Sequence, residues 1–174
     1  MDKLTDSIRS IPDFPKKGIV FRDITTLLKN AEALKKAVDL FSEKYRNSKI
    51  DKIVCIESRG FIIGSALAVN LGAGFVPVRK KGKLPAEVIT EQYALEYGTD
   101  TVEMHIDAIR PGERVLLHDD LLATGGTMGA AIKLVEKLQA KIVGVSFLVE
   151  LAFLQGRKCL RDQEVYSLII YDEE

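Results

Sequence analysis

Short apolar runs alternate along the chain with segments in which apolar residues recur every three or four positions. The runs are rich in Val, Ile and Leu, which is typical of strands buried on both faces of a sheet. They lie at 51–57, 74–79, 114–119 and 140–150. The other segments have the period of amphipathic helices, and they begin at Asn30, Gly60 and Gly125. This alternation predicts an α/β fold with a mostly parallel central sheet flanked by helices.

Residues 80–106 break the pattern, because polar and apolar residues alternate there around Gly82, Pro85 and Gly98. We interpret this segment as an antiparallel excursion, or flap, that leaves the parallel sheet and is mobile. The sequence contains no internal repeat, low-complexity tract or long polar linker. We therefore expect residues 1–174 to form a single domain.

The composition of the chain narrows its class. Its 174 residues are 47% hydrophobic and 29% charged, as in a globular domain. Because 25 basic residues balance 25 acidic ones, general attraction to nucleic acid or to an anionic membrane is not expected. We find neither a signal-peptide pattern nor an apolar stretch of ~20 residues, so we predict a cytoplasmic protein. In that compartment Cys55 and Cys159 should be reduced thiols.

The strongest motif is "VLLHDDLLATGGT" at 115–127. We expect the strand at 114–118 to end at Asp119 and Asp120, and a helix to begin near Gly125 or Gly126. Ligands of open α/β sheets bind at this edge, outside the carboxyl ends of the strands. Residues 123–127 offer consecutive backbone N–H groups and two hydroxyl groups at a positive helix end, which favours a phosphate-binding loop.

The two carboxylates need a different ligand group, since they would repel a phosphate. They are suited to vicinal hydroxyl groups or to a cationic centre. A ribose 5-phosphate carries both the hydroxyl groups and the phosphate. A simple turn followed by a helix cap is the structural alternative. The succession of both features after a buried strand favours the ribose phosphate.

The motif resembles the phosphoribosyl pyrophosphate (PRPP) signature of the type I phosphoribosyltransferase family. Four other blocks resemble, in order and spacing, the members of the family that use adenine; they lie at 11–25, 57–68, 76–85 and 95–105. The resemblance implies the type I phosphoribosyltransferase fold with a flexible hood or flap. It also implies purine salvage, in which the 5-phosphoribosyl group passes from PRPP to adenine, giving AMP and pyrophosphate. His118 departs from the family, which usually has an aliphatic residue there; we favour a neutral, hydrogen-bonded imidazole over a proton-handling role.

The resemblance also implies residue roles around PRPP. Asp119 and Asp120 would hold the ribose hydroxyl groups and lend negative potential to the anomeric carbon. The loop that would hold the 5-phosphate consists of Ala123, Thr124, Gly125, Gly126 and Thr127. The pyrophosphate would be bound by Arg59, Arg79 and Lys83. Mg²⁺ would be held mainly through substrate oxygens, and the resemblance assigns no direct protein ligand to it. The Glu57–Ser58 peptide is typically cis in this family.

The flap and the N-terminal segment receive further roles by resemblance. Residues 79–83 could be a solvated basic loop, but their place before the flap favours a lid over the site. Within that lid, Glu96 is a candidate for proton handling, and Tyr97 either closes over the reacting centre or packs in the hairpin. In the base-recognition segment 1–30, backbone groups of Val20 and Arg22 would read adenine. Phe21 either supports that loop or is a core aromatic residue.

Two other functions are weighed against this one. A regulatory protein that keeps the PRPP site but binds DNA would need a helix-turn-helix and a basic face, which the sequence does not show. A phosphoribosyltransferase for xanthine or another base would differ in its product. The family also implies a homodimer in which one subunit donates its Arg79 to the site of the other.

Overall fold

A computed structural model of the chain describes residues 4–94 and 98–173. The strands are Arg9–Ile11 (β1), Phe21–Asp23 (β2), Lys52–Ile56 (β3), Gly74–Lys80 (β4), Val88–Ala94 (β5), Thr99–His105 (β6), Arg114–Leu122 (β7), Lys141–Leu151 (β8) and Val165–Tyr171 (β9). The α-helices are Thr25–Leu28 (α1), Ala31–Tyr45 (α2), Gly60–Leu71 (α3) and Gly126–Lys137 (α4). Short 3₁₀ helices span Leu4–Ser7, Ala152–Leu154 and Gly156–Leu160.

Seven strands form the central sheet, in the order β5-β6-β4-β3-β7-β8-β9. The pairs from β4 to β9 are parallel, whereas β6 pairs antiparallel with both β4 and β5. The predicted α/β fold with a mostly parallel sheet is therefore confirmed. The antiparallel strands β5 and β6 lie within the predicted excursion at 80–106, and they extend the sheet at one edge. The first two strands form a separate antiparallel pair.

The apolar strands are buried on both faces, as their composition predicts. One face packs Val54, Leu117 and Phe147 against α4. The opposite face packs against α2 and α3, with Phe41 and Leu67 fully buried. The core on each side thus fixes the helices α2, α3 and α4 relative to the carboxyl ends of the strands.

The structure corrects the predicted end of the strand in the motif and confirms the predicted start of the helix that follows it. The strand that carries Asp119 and Asp120 does not end at residue 118, because β7 continues to Leu122. The reason is that β8 is long enough to continue the ladder, pairing Asp119 with Phe147 and Leu121 with Val149. The helix after the motif begins at Gly126, as predicted.

The division of the chain into one domain stays a prediction. No helix within the described residues is long and apolar enough to cross a membrane.

Candidate active site

A pocket of about 440 Å³ opens at the carboxyl ends of β3 and β7. Residues from the sheet, from the turn after β3 and from the flap line it: Ile56, Glu57, Ser58, Arg59, Lys80, Tyr93, Val102, Asp119, Asp120, Leu121 and Thr127. The sequence motif and the flap therefore meet at one cavity. This is the edge of an α/β sheet at which ligands bind.

The adjacent carboxyl groups of Asp119 and Asp120 form the part of the pocket that we call the floor. Asp120 is 6% exposed, and its Oδ2 lies 2.8 Å from Arg59 Nε. Burial raises the pKa of Asp119 well above its usual range, and the neighbouring charge of Asp120 adds to this effect. Burial also raises the pKa of Asp120, although the Arg59 charge opposes it. Within the described residues the buried Asp120 Oδ2 accepts no aligned hydrogen bond, so its partner there is the Arg59 charge.

The phosphate loop lies between the floor and α4. Gly125 is the N-cap of α4 with φ of 81°, and a Cβ on it would lie 2.3 Å from the Gly156 carbonyl oxygen. Only glycine fits both the conformation and the close approach. The amide end of α4 then faces the pocket beside Thr127, which lines it. The four other predicted phosphate residues, Ala123, Thr124, Gly125 and Gly126, precede Thr127 in the same turn.

The cationic side of the pocket, which we call the rim, is organised by Glu57. Its carboxylate accepts a hydrogen bond from Arg79 Nε at 3.0 Å and one from the Lys80 amide at 2.8 Å. Lys83 Nζ lies 3.1 Å from the same carboxylate. Burial would raise the pKa of Glu57, but these hydrogen bonds outweigh it and lower the pKa. Arg79 and Lys83, both predicted for pyrophosphate, are thus engaged by Glu57 and do not themselves line the pocket.

Lys80 is a pocket cation that the sequence prediction missed. It lines the cavity, and its Nζ lies 3.1 Å from Asp100 Oδ2. Successive side chains of a strand point to opposite faces, so Arg79 and Lys80 at the end of β4 cannot both face the same side. The alternation in the sequence predicts that only one of these two side chains faces the pocket. The sequence alone does not show which one it is.

The N-terminal segment reaches this site through Arg59. Its guanidinium carbon lies 5.7 Å from the centre of the Phe21 ring, so Phe21 is beside the pocket and only half-buried. The side chain of Arg22 points elsewhere, with Nη1 donating to Ser10 Oγ at 2.6 Å. Val20 is half-buried immediately before β2. The Arg22 side chain is therefore engaged away from this pocket, and the reading of a base by backbone groups of Val20 and Arg22 stays a prediction.

His118 adopts the structural arrangement that we favoured. It is fully buried, and its Nδ1 lies 2.9 Å from Ser146 Oγ, which itself donates to the Leu117 carbonyl. Nδ1 is therefore assigned as the donor of this pair. Burial lowers the pKa of His118 to about 3, so it stays neutral at physiological pH.

The Glu57–Ser58 peptide is cis, as the family resemblance implied. Glu96 and Tyr97 lie outside the described residues.

Known proteins resemble this chain in both sequence and fold. The phosphoribosyl transferase domain family matches residues 23–168. The adenine phosphoribosyltransferase of Brachyspira hyodysenteriae is 62% identical over 97% of this chain and 99% of its own. The crystal structure of adenine phosphoribosyltransferase from Thermoanaerobacter pseudethanolicus is 51% identical, with a TM-score of 0.93 over 97% of this chain and 98% of that one. The Saccharomyces cerevisiae enzyme, complexed with D-2,5-dideoxy-2,5-imino-altritol 1,6-bisphosphate and adenine, is 43% identical, with a TM-score of 0.90 over 95% and 96%.

Proposed function

The chain belongs to the adenine phosphoribosyltransferases of the phosphoribosyl transferase domain family, and from this premise we propose how its pocket performs the reaction. The enzyme transfers the 5-phosphoribosyl group of PRPP to adenine in purine salvage, giving AMP and pyrophosphate. One observation carries the assignment to this pocket: the adjacent carboxyl groups of Asp119 and Asp120 and Thr127 of the phosphate loop line the same cavity as Arg59. The alternative of a regulatory protein lacks support, since relatives at this identity are enzymes.

The floor is suited to the ribosyl group. The C–O bond to pyrophosphate breaks through a transition state in which the ribosyl ring carries positive charge. The carboxyl groups of Asp119 and Asp120 accept hydrogen bonds from the ribose hydroxyl groups and place negative potential near that charge. Ala123, Thr124, Gly125, Gly126 and Thr127 bind the 5-phosphate at the amide end of α4.

The rim is suited to the leaving pyrophosphate. Arg59 and Lys80 line the pocket, and Arg79 and Lys83 lie behind them on Glu57. All four are bound to carboxylates, so the highly charged pyrophosphate competes with those carboxylates for them. The predicted set of Arg59, Arg79 and Lys83 thus extends to Lys80.

We assign adenine recognition to the backbone at Val20 and Arg22, with Phe21 beside the base. A carbonyl facing N6 and an amide facing N1 complement adenine, whereas hypoxanthine offers the inverse pattern. Each mismatch leaves a buried polar group unpaired, at roughly 1–3 kcal/mol. Two mismatches predict discrimination on the order of 10² to 10⁴ in kcat/KM.

Mg²⁺ is proposed as the cofactor of the reaction. Across residues 4–94 and 98–173, no group of three or more His, Cys, Asp or Glu side chains could hold a metal ion by itself. A hard cation at this pocket would therefore take most of its ligands from the pyrophosphate and ribose oxygens. When bound, it would neutralise part of the negative charge on the leaving group. Chelation by EDTA should abolish turnover, and added Mg²⁺ should restore it.

We further propose that the flap forms a lid over the site. Glu96 would handle the proton on the base, and Tyr97 would close the site.

We also propose that the protein is a homodimer. The helix α3 leaves Ile62 44% exposed and Val69 82% exposed, which supports a second subunit on this face. Sedimentation would distinguish a homodimer from a monomer. The free thiols Cys55 and Cys159 support a cytoplasmic location, where thiols stay reduced.

The decisive experiment incubates the protein with PRPP, Mg²⁺ and one nucleobase at a time and identifies each nucleotide. We expect AMP from adenine and little product from hypoxanthine, guanine or xanthine. Arg22→Ala should keep the preference for adenine, because the backbone reads the base. Equal kcat/KM for adenine and hypoxanthine would overturn the base assignment, and lost preference in Arg22→Ala would overturn the backbone mechanism.

A further inference from the structure

Tyr93, in the flap strand β5, lies between the phosphate loop and the rim. Its ring lines the pocket, and its Cδ2 would lie 3.4 Å from a Cβ placed on Gly126. Thr127 of the phosphate loop lines the same pocket. The hydroxyl group of Tyr93 donates to Asp100 Oδ2 at 3.2 Å. Tyr93 therefore packs beside the phosphate loop and donates to a carboxylate beside the rim.

Asp100 in turn holds Lys80. Its Oδ2 accepts from Tyr93 and lies 3.1 Å from Lys80 Nζ, while its Oδ1 accepts from the Thr101 amide at 2.8 Å. The pairing of Tyr93 with Asp100 across the hairpin fixes this arrangement. If Lys80 leaves, Oδ2 keeps only the hydroxyl group of Tyr93 among these partners.

We propose that Tyr93 is a positioning residue for PRPP: its hydroxyl group keeps Asp100 hydrogen-bonded, so that Lys80 can leave Asp100 for the pyrophosphate. The inference rests on the proposed function, since it requires PRPP as the ligand. A carboxylate that loses its cation without another donor is destabilised. By supplying that donor, Tyr93 lowers the cost of transferring Lys80 from Asp100 to the substrate.

The phosphate loop can be occupied without disturbing this arrangement. A 5-phosphate in the loop accepts a hydrogen bond from the Thr127 hydroxyl group. The hydroxyl group of Tyr93 remains on Asp100. Occupation of the phosphate loop and the release of Lys80 are thus compatible, and AMP, which has no pyrophosphate, does not need Lys80.

The test compares Tyr93→Phe with the unaltered protein in binding of PRPP and of AMP, measured by calorimetry with Mg²⁺ present. The ring and its packing on Gly126 are kept, so the fold should be retained, as thermal unfolding can verify. We expect PRPP affinity to fall by about five- to tenfold, because a hydrogen bond to a charged group is lost at a partly exposed site. AMP affinity should stay within about twofold, since AMP does not use the rim.

A double-mutant cycle with Asp100→Asn isolates the pathway. The neutral amide holds Lys80 weakly, so adding Tyr93→Phe in that background should change PRPP affinity less than about twofold. Tyr166→Phe is the matched control, since Tyr166 lies on β9, packed against Phe41 and Tyr45.

Three results would overturn the inference: equal loss of AMP and PRPP affinity, no loss for PRPP, or an undiminished loss in the Asp100→Asn background. The same preparations separate this inference from the function it rests on. Unaltered protein that forms no AMP from PRPP and adenine would overturn the proposed function. If AMP is formed, these binding results bear on Tyr93 alone.

Discussion

The floor and the rim of the pocket both carry carboxylates, but in opposite electrostatic settings. On the floor, burial dominates and raises the pKa of Asp119 and Asp120. On the rim, hydrogen bonds from amides and cations lower the pKa of Glu57 and Asp100. The floor therefore keeps the Arg59 charge beside Asp120, and we expect ribose hydroxyl groups to supply its further partners. The rim is already satisfied internally, so a substrate has to exchange partners with it.

The largest effect is expected from removing the floor charge. Asp119→Asn combined with Asp120→Asn should leave the fold intact and lower turnover by about a hundredfold or more, because preorganised electrostatic groups are lost. Steady-state kinetics with PRPP and adenine would measure it, and circular dichroism would check the fold. Near-normal turnover in a folded double variant would refute the role of the floor.

Gly125, in the phosphate loop between the floor and α4, should be nearly as sensitive to substitution. Gly125→Ala combines a φ of 81° with a Cβ 2.3 Å from the Gly156 carbonyl oxygen. Gly112→Ala is the matched control, because its φ is 84° but nothing lies within 4 Å of an added Cβ. We expect the control to cost about 1 kcal/mol of unfolding free energy. Gly125→Ala should cost at least about 2 kcal/mol more, since the backbone has to move, and it should weaken AMP binding. Equal losses in urea denaturation would contradict the close approach.

The pH dependence of stability should have opposite signs in the two regions. The raised pKa of Asp119 means that the folded state binds more protons, so stability falls as pH rises through that pKa. Asp119→Asn should therefore be more stable than the unaltered protein at neutral pH, and this gain should disappear at about pH 4. Glu57 has a lowered pKa, so its contribution is present above the unfolded pKa and is lost as pH falls through the folded one.

Glu57→Gln should accordingly destabilise the protein at neutral pH, and the difference should close in acid. Urea denaturation of both variants between about pH 3 and pH 8 would measure these differences. Differences of the same sign for the two variants would show that the floor and the rim are not electrostatically distinct.

The smallest effect concerns the flap. Glu91 on β5 pairs with Lys133 at 3.0 Å and with Lys137 at 2.8 Å on α4. Exposed pairs contribute only about 0.2–1 kcal/mol, so Glu91→Gln should speed amide exchange modestly over 88–94. PRPP should slow exchange throughout 80–100. Glu164→Gln, which breaks a pair with Lys44, is the control. Unchanged exchange at saturating PRPP would argue against a lid.

Much of the fold follows from local patterns. The buried strands around Val54 and Leu117 and the helix start at Gly126 could be predicted, because apolar runs and turn residues act over a few positions. The edge strand β9 and the short pair β1–β2 were not predicted. Edge strands are buried less completely, and Ile170 of β9 is 48% exposed, so the apolar pattern is weaker there.

The site was predicted less completely than the fold. Asp119, Asp120 and Thr127 follow one another in the motif, so their meeting in one pocket could be anticipated. Lys80 could not be chosen over Arg79, because that choice depends on which face of β4 covers the pocket. The contact of Tyr93 with Asp100 depends on the register of the hairpin, which alternation alone does not fix.

The division between floor and rim is tested most directly by measuring AMP and PRPP affinity in two variants by calorimetry. Lys80→Ala, on the rim, should weaken PRPP binding by about tenfold or more and leave AMP binding unchanged, because only PRPP carries pyrophosphate. Thr127→Val, on the phosphate loop, should weaken both ligands. Equal loss of both ligands in Lys80→Ala, or loss of PRPP alone in Thr127→Val, would contradict the division.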